Sequence, residues 1–264
     1  KKKGDKIGFV DKDMNTVIPF EYDYVTAFTE ERAYVEIADK KFIINTKNER
    51  LLDVSQYFGV RIDNQSAGIV AVETEEGTHF GAINLINGEI TFSIGNHVIQ
   101  EFKNGLAPIN LGYDENGEPS AAVINTQGDF VIPQGKYNSI WHVGNLITAA
   151  DYEKNIEDVY DLDGNFIFST KYGIGTFDYT KSNNIYRFSD IESSPRMYGS
   201  IDEKGNIITP LKYHNIDDNG WSKDGLILVH LNDQIFYIDL NGREYRKQES
   251  ENTQASNLAL EQTF

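Results

Sequence analysis

The sequence has no cysteine, and only two methionines and two tryptophans in 264 residues. Without a thiol there is no disulfide, thiolate metal site, iron–sulfur cluster or cysteine nucleophile, and either redox environment suits the chain. Basic charge is scarce as well: 24 Lys and Arg stand against 41 Asp and Glu, leaving −17. At a pI near 4.6 the resulting field repels phosphate backbones and anionic lipid, so neither nucleic acid nor a membrane surface is an expected partner. No apolar run approaches the ~18 residues that would span a bilayer, and no membrane insertion is expected. Nothing before the tail sustains a 3.6-residue period. Lys1-Lys2-Lys3-Gly4 leads straight into a strand-like pattern with no signal-peptide core in view. A cysteine-free acidic chain of this kind is expected outside the cell or at a bacterial cell surface rather than in the cytoplasm, and as a monomer.

What is present is repetition. A small or aromatic residue, two apolar residues and then Asp or Asn recur seven times, as in Gly8-Phe9-Val10-Asp11, Gly81-Ala82-Ile83-Asn84, Ala122-Val123-Ile124-Asn125 and Gly199-Ser200-Ile201-Asp202. The Asp/Asn positions lie 34, 39, 41, 36, 41 and 37 residues apart, the period of a repeat array. Gly128, Gly164, Gly205 and Gly242 each follow their Asp/Asn by three residues, which is the chemistry of a tight hairpin. Pro19, Pro133 and Pro210 follow by eight, at the end of an apolar run, where a missing ladder donor marks a strand end or an edge. Tyr22, Tyr172 and Tyr213 follow by eleven and Tyr137 by twelve; Phe28, Phe102 and Phe177 lie near seventeen. Short alternating runs such as Ala33-Tyr34-Val35-Glu36-Ile37 complete each unit as a further strand.

These units resemble the WG-repeat family, also called KWG repeats, whose pattern is roughly Trp-Gly-aromatic-Ile-Asp-x-x-Gly, then Val/Ile-Pro, Tyr-Asp and a Phe-x-x-Gly turn. Ile7-Gly8-Phe9-Val10-Asp11 with Val17-Ile18-Pro19, Tyr22-Asp23 and Phe28 matches best, and the unit at Tyr198-Gly199-Ser200-Ile201-Asp202 nearly as well. The tryptophan of the family name is replaced throughout, by Ile7, Lys41, Phe80, Ala121, Glu157, Tyr198 and Ile235, and the second and fifth units keep little more than spacing. The resemblance implies an array used in bacteria for binding or cell-surface interaction, with no shared catalytic residues to carry over.

A unit of about 38 residues with three or four short antiparallel strands has the size of a propeller blade. The expected fold is therefore all-β, a β-propeller-like array of six to seven units over residues 4–245, followed by a polar tail or clasp at 246–264. The alternative is an open β-solenoid of stacked antiparallel hairpins. Seven Asp/Asn strands but six further apolar strands fit a closed ring awkwardly.

Candidate chemistry is thin. Asp161-Leu162-Asp163-Gly164-Asn165 and Asp114-Glu115-Asn116-Gly117-Glu118 superficially resemble calcium loops, but Asp-Gly and Asn-Gly turns recur in this array and neither stretch has the distal bidentate Glu. The five histidines form no i,i+4 pair, no Gly-x-Ser-x-Gly elbow is present, and no cofactor or metal is expected. The 32 aromatic residues carry the functional signal. Tyr22, Tyr137, Tyr172 and Tyr213 occupy equivalent positions, which suggests packing between units. Trp141 and Trp221 have no counterparts at their offsets and are the expected ligand-binding residues, with His142 beside Trp141. The expected function is non-catalytic binding of a protein or a carbohydrate; the alternative is a hydrolase using acidic residues in a central channel.

Overall fold

The computed structural model describes residues 2–177, 184–190 and 192–246. Of the expected tail, all but Arg246 lies outside the described residues. The regular elements of the described residues are all strands, arranged as seven antiparallel sheets. The first has three strands, Lys2–Lys3, Lys6–Val10 and Thr16–Tyr22; each of the other six has four, in the order of the chain. The second sheet is typical: Tyr24–Val25, Arg32–Ile37, Lys40–Asn45 and Arg50–Asp53. Such a meander is the strand order of a propeller blade, so the chain has the expected propeller-like units rather than two-stranded hairpins. The repeating sequence motif straddles two sheets, because its Asp/Asn ends the third strand of one sheet and its last apolar run is the second strand of the next. That phasing accounts for the count of seven against six: in the first sheet the two-residue strand Lys2–Lys3 stands where the others carry a long apolar strand.

The chain divides into two compact units, Lys1–Lys171 with five sheets and Tyr172–Phe264 with two. In the first unit the core consists of layers between consecutive sheets. Ala33, Val35, Phe42 and Ile44 of the second sheet pack with Ile18 and Tyr22 of the first. Their neighbours Tyr34 and Ile43 face the other way, toward Val60, Val70 and Ile83 of the third sheet. The fourth sheet repeats the alternation: Ala122 and Ile124 pack with Ile69 and Ala82 of the third sheet, and Ala121 and Val123 with Ile147 and Ala149 of the fifth. A strand places successive side chains on opposite faces. Two consecutive apolar residues are thus the signature of a strand buried on both sides. In the second unit Tyr213 of the sixth sheet packs with Ile227, Val229, Phe236 and Ile238 of the seventh.

The conserved spacing of Asp/Asn and Gly arises in the turn between third and fourth strands. Six of the seven Asp/Asn residues accept backbone N–H groups two and four residues ahead. Asp161 takes those of Asp163 and Asn165 at 2.9 and 2.8 Å, and Asn125 those of Gln127 and Asp129 at 3.0 and 2.9 Å. The residue three ahead sits in the left-handed region, φ being 86° at Gly128 and 83° at Gly164, where glycine is favoured. Both resemblances to calcium loops resolve into this device, since Asp114 accepts the amides of Asn116 and Glu118 at 2.8 and 2.9 Å.

The prolines mark a bulge. Ile7 faces Tyr22 while Phe9 faces Ile18, and Tyr198 faces Tyr213 while Ser200 faces Thr209, so the last strand of the sheet carries two surplus residues in each case. A bulge that doubles back over the third strand leaves no room for a side chain there: a Cβ on Gly8 would lie 2.6 Å from the Ile18 carbonyl oxygen, and one on Gly199 2.7 Å from that of Thr209. The second and fifth sheets have no such bulge, with Phe42 opposite Asp53 and Asp158 opposite Ser169 in regular register. There the small residue is not required, which is why those two units look degenerate.

Gly128→Ala is expected to destabilise the protein far more than Gly117→Ala, although both sit at positive φ in the same kind of turn. A Cβ at Gly128 would lie 1.8 Å from the Thr91 carbonyl oxygen, whereas Gly117 has open space around it. Urea unfolding should give a loss of about 1–2 kcal/mol for Gly117→Ala, the cost of the left-handed conformation, and a clearly larger loss for Gly128→Ala. Equal losses would contradict the close approach.

Candidate functional site

A recess lies in the first unit, where the hairpin joining the second and third strands of the fourth sheet (residues 113–119) stands beside the corresponding hairpin of the fifth (151–156). It has two lobes, of about 560 and 470 Å³, which share Asp114, Ser120 and Gly135. Strand ends supply the wall. Pro119–Asn125 enters with Ser120, Phe130–Tyr137 leaves its bulge through Gly135 and Lys136, and Leu146–Asp151 ends in the second hairpin.

Beneath the first lobe is a closed hydrogen-bond network. The Tyr137 hydroxyl donates to the Asp158 carboxylate and lies 2.5 Å from the Tyr160 hydroxyl. Ser169 donates to the same carboxylate, and the Lys136 ammonium is 3.5 Å from it and 4.6 Å over the Tyr137 ring. Burial pushes the Asp158 carboxyl up, but the donors Ser169 and Tyr137 and the charge of Lys136 outweigh it and hold the group below the usual range. Desolvation and these same bonds push the Tyr137 phenol far above its ordinary value. Both groups therefore stay in one protonation state at neutral pH. Asp151 is likewise held low by the Lys154 ammonium and amide. Asn138 accepts the Tyr152 amide at 2.8 Å, which fixes the rim of the second hairpin.

The walls differ from the floor. The side-chain carboxylates of Glu118 and Glu153 in the first lobe and of Glu115 in the second have no hydrogen bond or close ion pair among the described residues, although Glu153 helps to raise the pKa of Lys154. Ser120 is only 7% exposed and lines both lobes, yet its hydroxyl has no partner among the described residues. Tyr113, on the rim of the second lobe, is 76% exposed. None of these residues belongs to the repeating motif. The sequence signal that points here is the charged turn Asp114–Glu118, whose resemblance to a calcium loop is superficial.

The residues singled out from sequence are scattered. Trp141 lies in the strand Ser139–Val143, opposite Thr148, and is 54% exposed. Its neighbour Ile140 points into the core toward the fourth sheet, so Trp141 projects from the other face and does not line the recess. His142 alternates back: its amide donates to the Gln100 side chain, whose own amide donates to the Ile140 carbonyl, a tie between the fourth and fifth sheets. The His142 Nε2 is buried without a partner among the described residues, and burial, assisted by Lys103, pushes its pKa down to about 4. Trp221 is corrected from a rim position to a core one. It is 4% exposed and packs with Phe177, Tyr213, Ile216 and Phe236, because the connection after Asn215–Ile216 folds inward instead of projecting. No ring face remains there for a ligand. Of the equivalent tyrosines, Tyr22, Tyr137 and Tyr213 are buried as packing residues, and Tyr172 is half-buried against Phe188.

Truncating Trp221 to Ala should cost roughly 3–5 kcal/mol, the range for a buried aromatic, with most of the loss restored by Trp221→Phe. A calorimetric midpoint unchanged in Trp221→Ala would contradict its core placement. A second expectation concerns pH. The folded state keeps His142 neutral, while the unfolded chain takes up a proton near 6.5. The His142 contribution is therefore complete above about 6.5 and lost as the pH falls toward about 4; His97, also lowered by burial, acts in the same direction. Urea midpoints measured from pH 7 to 4.5 should fall less steeply in His142→Gln than in the parent, and parallel curves would count against this account.

Comparisons with known proteins agree with the repeat and add nothing to its chemistry. Residues 7–40 and 198–233 match the model of the WG containing repeat, and these two units combine glycine at the small-residue position with the proline bulge. Among solved structures, the chain is similar to Kluyveromyces lactis Hsv2, at 9% identity and a TM-score of 0.41 over 89% of this chain and 84% of that one. It is similar to the β-propeller domain of the Trilobed protease from Pyrococcus furiosus, at 10% identity and a TM-score of 0.35 over 86% and 84%. A eukaryotic initiation factor is similar at 10% identity and a TM-score of 0.39, over 94% and 83%. No curated protein matches the chain.

Proposed function

We propose that this WG-type repeat domain is a non-catalytic interaction module that receives a protein or carbohydrate ligand in the recess between the fourth and fifth sheets, with the exposed Trp141 as a separate contact. The observation that carries this reading is the contrast within the recess. Its floor is locked by mutual hydrogen bonds, while the side chains of Ser120, Glu118 and Glu153 on its walls have no hydrogen-bond partner among the described residues. A polar recess with a few oriented free groups over a rigid base is suited to holding a ligand. Acid–base hydrolysis calls for a carboxylic acid whose pKa is raised so that it can donate a proton. Among the described residues, each carboxyl group displaced from its ordinary range is displaced downward, as at Asp151, Asp158 and Asp161. This supports the non-catalytic reading over the hydrolase.

A combined peptide and oligosaccharide array probed with the folded protein tests the reading. A ligand so found should be recovered intact by mass spectrometry after long incubation, and Ser120→Ala should weaken its binding. If Trp141 anchors a ligand, Trp141→Ala should lose on the order of 1–3 kcal/mol of affinity, with little change in unfolding midpoint because the ring is already half in water. Cleavage of the ligand, abolished by Asp158→Asn, would favour a hydrolase instead. Unchanged binding in both Ser120→Ala and Trp141→Ala would remove both contact sites.

A further inference from the structure

Within the recess the charges are unequally occupied. Both lysines that line it are already committed: Lys136 to Asp158, the Tyr160 hydroxyl and the Tyr137 ring, and Lys154 to Asp151. Asp114 is occupied by the amides of its own turn. What remains for a ligand is a set of acceptors, namely the carboxylates of Glu118 and Glu153 in one lobe and Glu115 in the other. The Ser120 hydroxyl lies where the two lobes meet, and the Tyr113 ring forms the rim. Ser120 is the independent observation that marks a site. The residue is almost wholly buried, yet its hydroxyl opens into the recess and has no partner among the described residues, so a group seated there is placed to pair with it. A neutral sugar would satisfy that hydroxyl but would leave three carboxylates desolvated against it. An ammonium or guanidinium group pairs with them, and its charge also favours the face of an exposed tyrosine. The surrounding field of a chain with net charge −17 attracts the same class of ligand.

Resting on the reading of the recess as a binding site, we infer that its ligand is a basic peptide segment, with Lys or Arg side chains seated in the two lobes against Glu115, Glu118 and Glu153. The two lobes suit a flexible chain carrying more than one cation, since a second tethered group binds at a raised effective concentration.

The test uses the whole chain and two probes, an acetylated and amidated tetra-arginine peptide and a trimer of N-acetylglucosamine, titrated at 0.05 and 0.3 M salt. Two double variants remove the same charge: Glu118→Gln with Glu153→Gln in the recess, and Glu75→Gln with Glu76→Gln in the equivalent hairpin of the third sheet, where both residues are exposed. The peptide is expected to bind the parent protein in a salt-sensitive way, at least tenfold more weakly to the recess variant and within about twofold of the parent to the control. Ser120→Ala should weaken it severalfold without changing the salt slope, because the hydroxyl carries no charge. Binding of the sugar trimer but not the peptide, lost in the recess variant, would overturn the cationic ligand and leave the recess standing as a site. Equal weakening in both double variants would show attraction by net charge alone and overturn both. Failure of the peptide to bind the parent protein would overturn the inference.

Discussion

The second and third strands of the second, third and fourth sheets are covered on both faces, and the rest of the structure follows from that constraint. A sheet alone can protect neither face of Arg32–Ile37 or Pro119–Asn125, whose interior residues Ala33, Val35, Ala122 and Val123 are fully buried. Each of these sheets is therefore half of two cores, and stability rests on the contact between neighbours, as in other repeat arrays. Small residues make the close approach possible. Ala33, Ala82, Ala107, Ala121, Ala122 and Ala149 are all buried at these layers, and larger side chains there would force the sheets apart.

With the faces consumed by packing, free chemistry is left to hairpins, edges and the connections. The turns between third and fourth strands are closed systems: their carboxylate or amide oxygens are taken by backbone donors of the same turn, and at Asp161 the Asn165 donors outweigh the upward push of burial. The hairpins between second and third strands follow no such repeat. They vary in length and composition from sheet to sheet, and the recess forms where two of them, residues 113–119 and 151–156, stand side by side. This divides the molecule into a repetitive part that specifies the fold and a variable part that carries the candidate site.

The same division decides how much was legible in the sequence. Spacing of Asp11, Asn45, Asn84, Asn125, Asp161, Asp202 and Asp239 revealed the repeat, because a turn that satisfies its own amides needs those residues at those offsets. Buried packing of Tyr22, Tyr137 and Tyr213 was legible from their equivalence. Trp221 misled because position between two strands suggests an exposed loop, whereas a large aromatic in a connection can fold under the sheet and serve as core. Ser120 gave no signal at all: the opening of its hydroxyl to the recess goes with the bulge that carries Phe130–Tyr137 away from the third strand. A pattern of residue types cannot report which polar groups are left unsatisfied after folding. That depends on three-dimensional register.

Hydrogen exchange in the native state tests most directly the claim that the doubly covered strands hold the molecule together. Amides of the central strands, Arg32–Ile37 and Lys40–Asn45 in the second sheet and Leu106–Tyr113 and Pro119–Asn125 in the fourth, should exchange last. Their opening free energies should approach that of global unfolding. The fourth strands, Arg50–Asp53 and Phe130–Tyr137, should open earlier, and the hairpin tips at 113–119 and 151–156 first of all. Fourth strands protected as strongly as the central pairs would contradict the account.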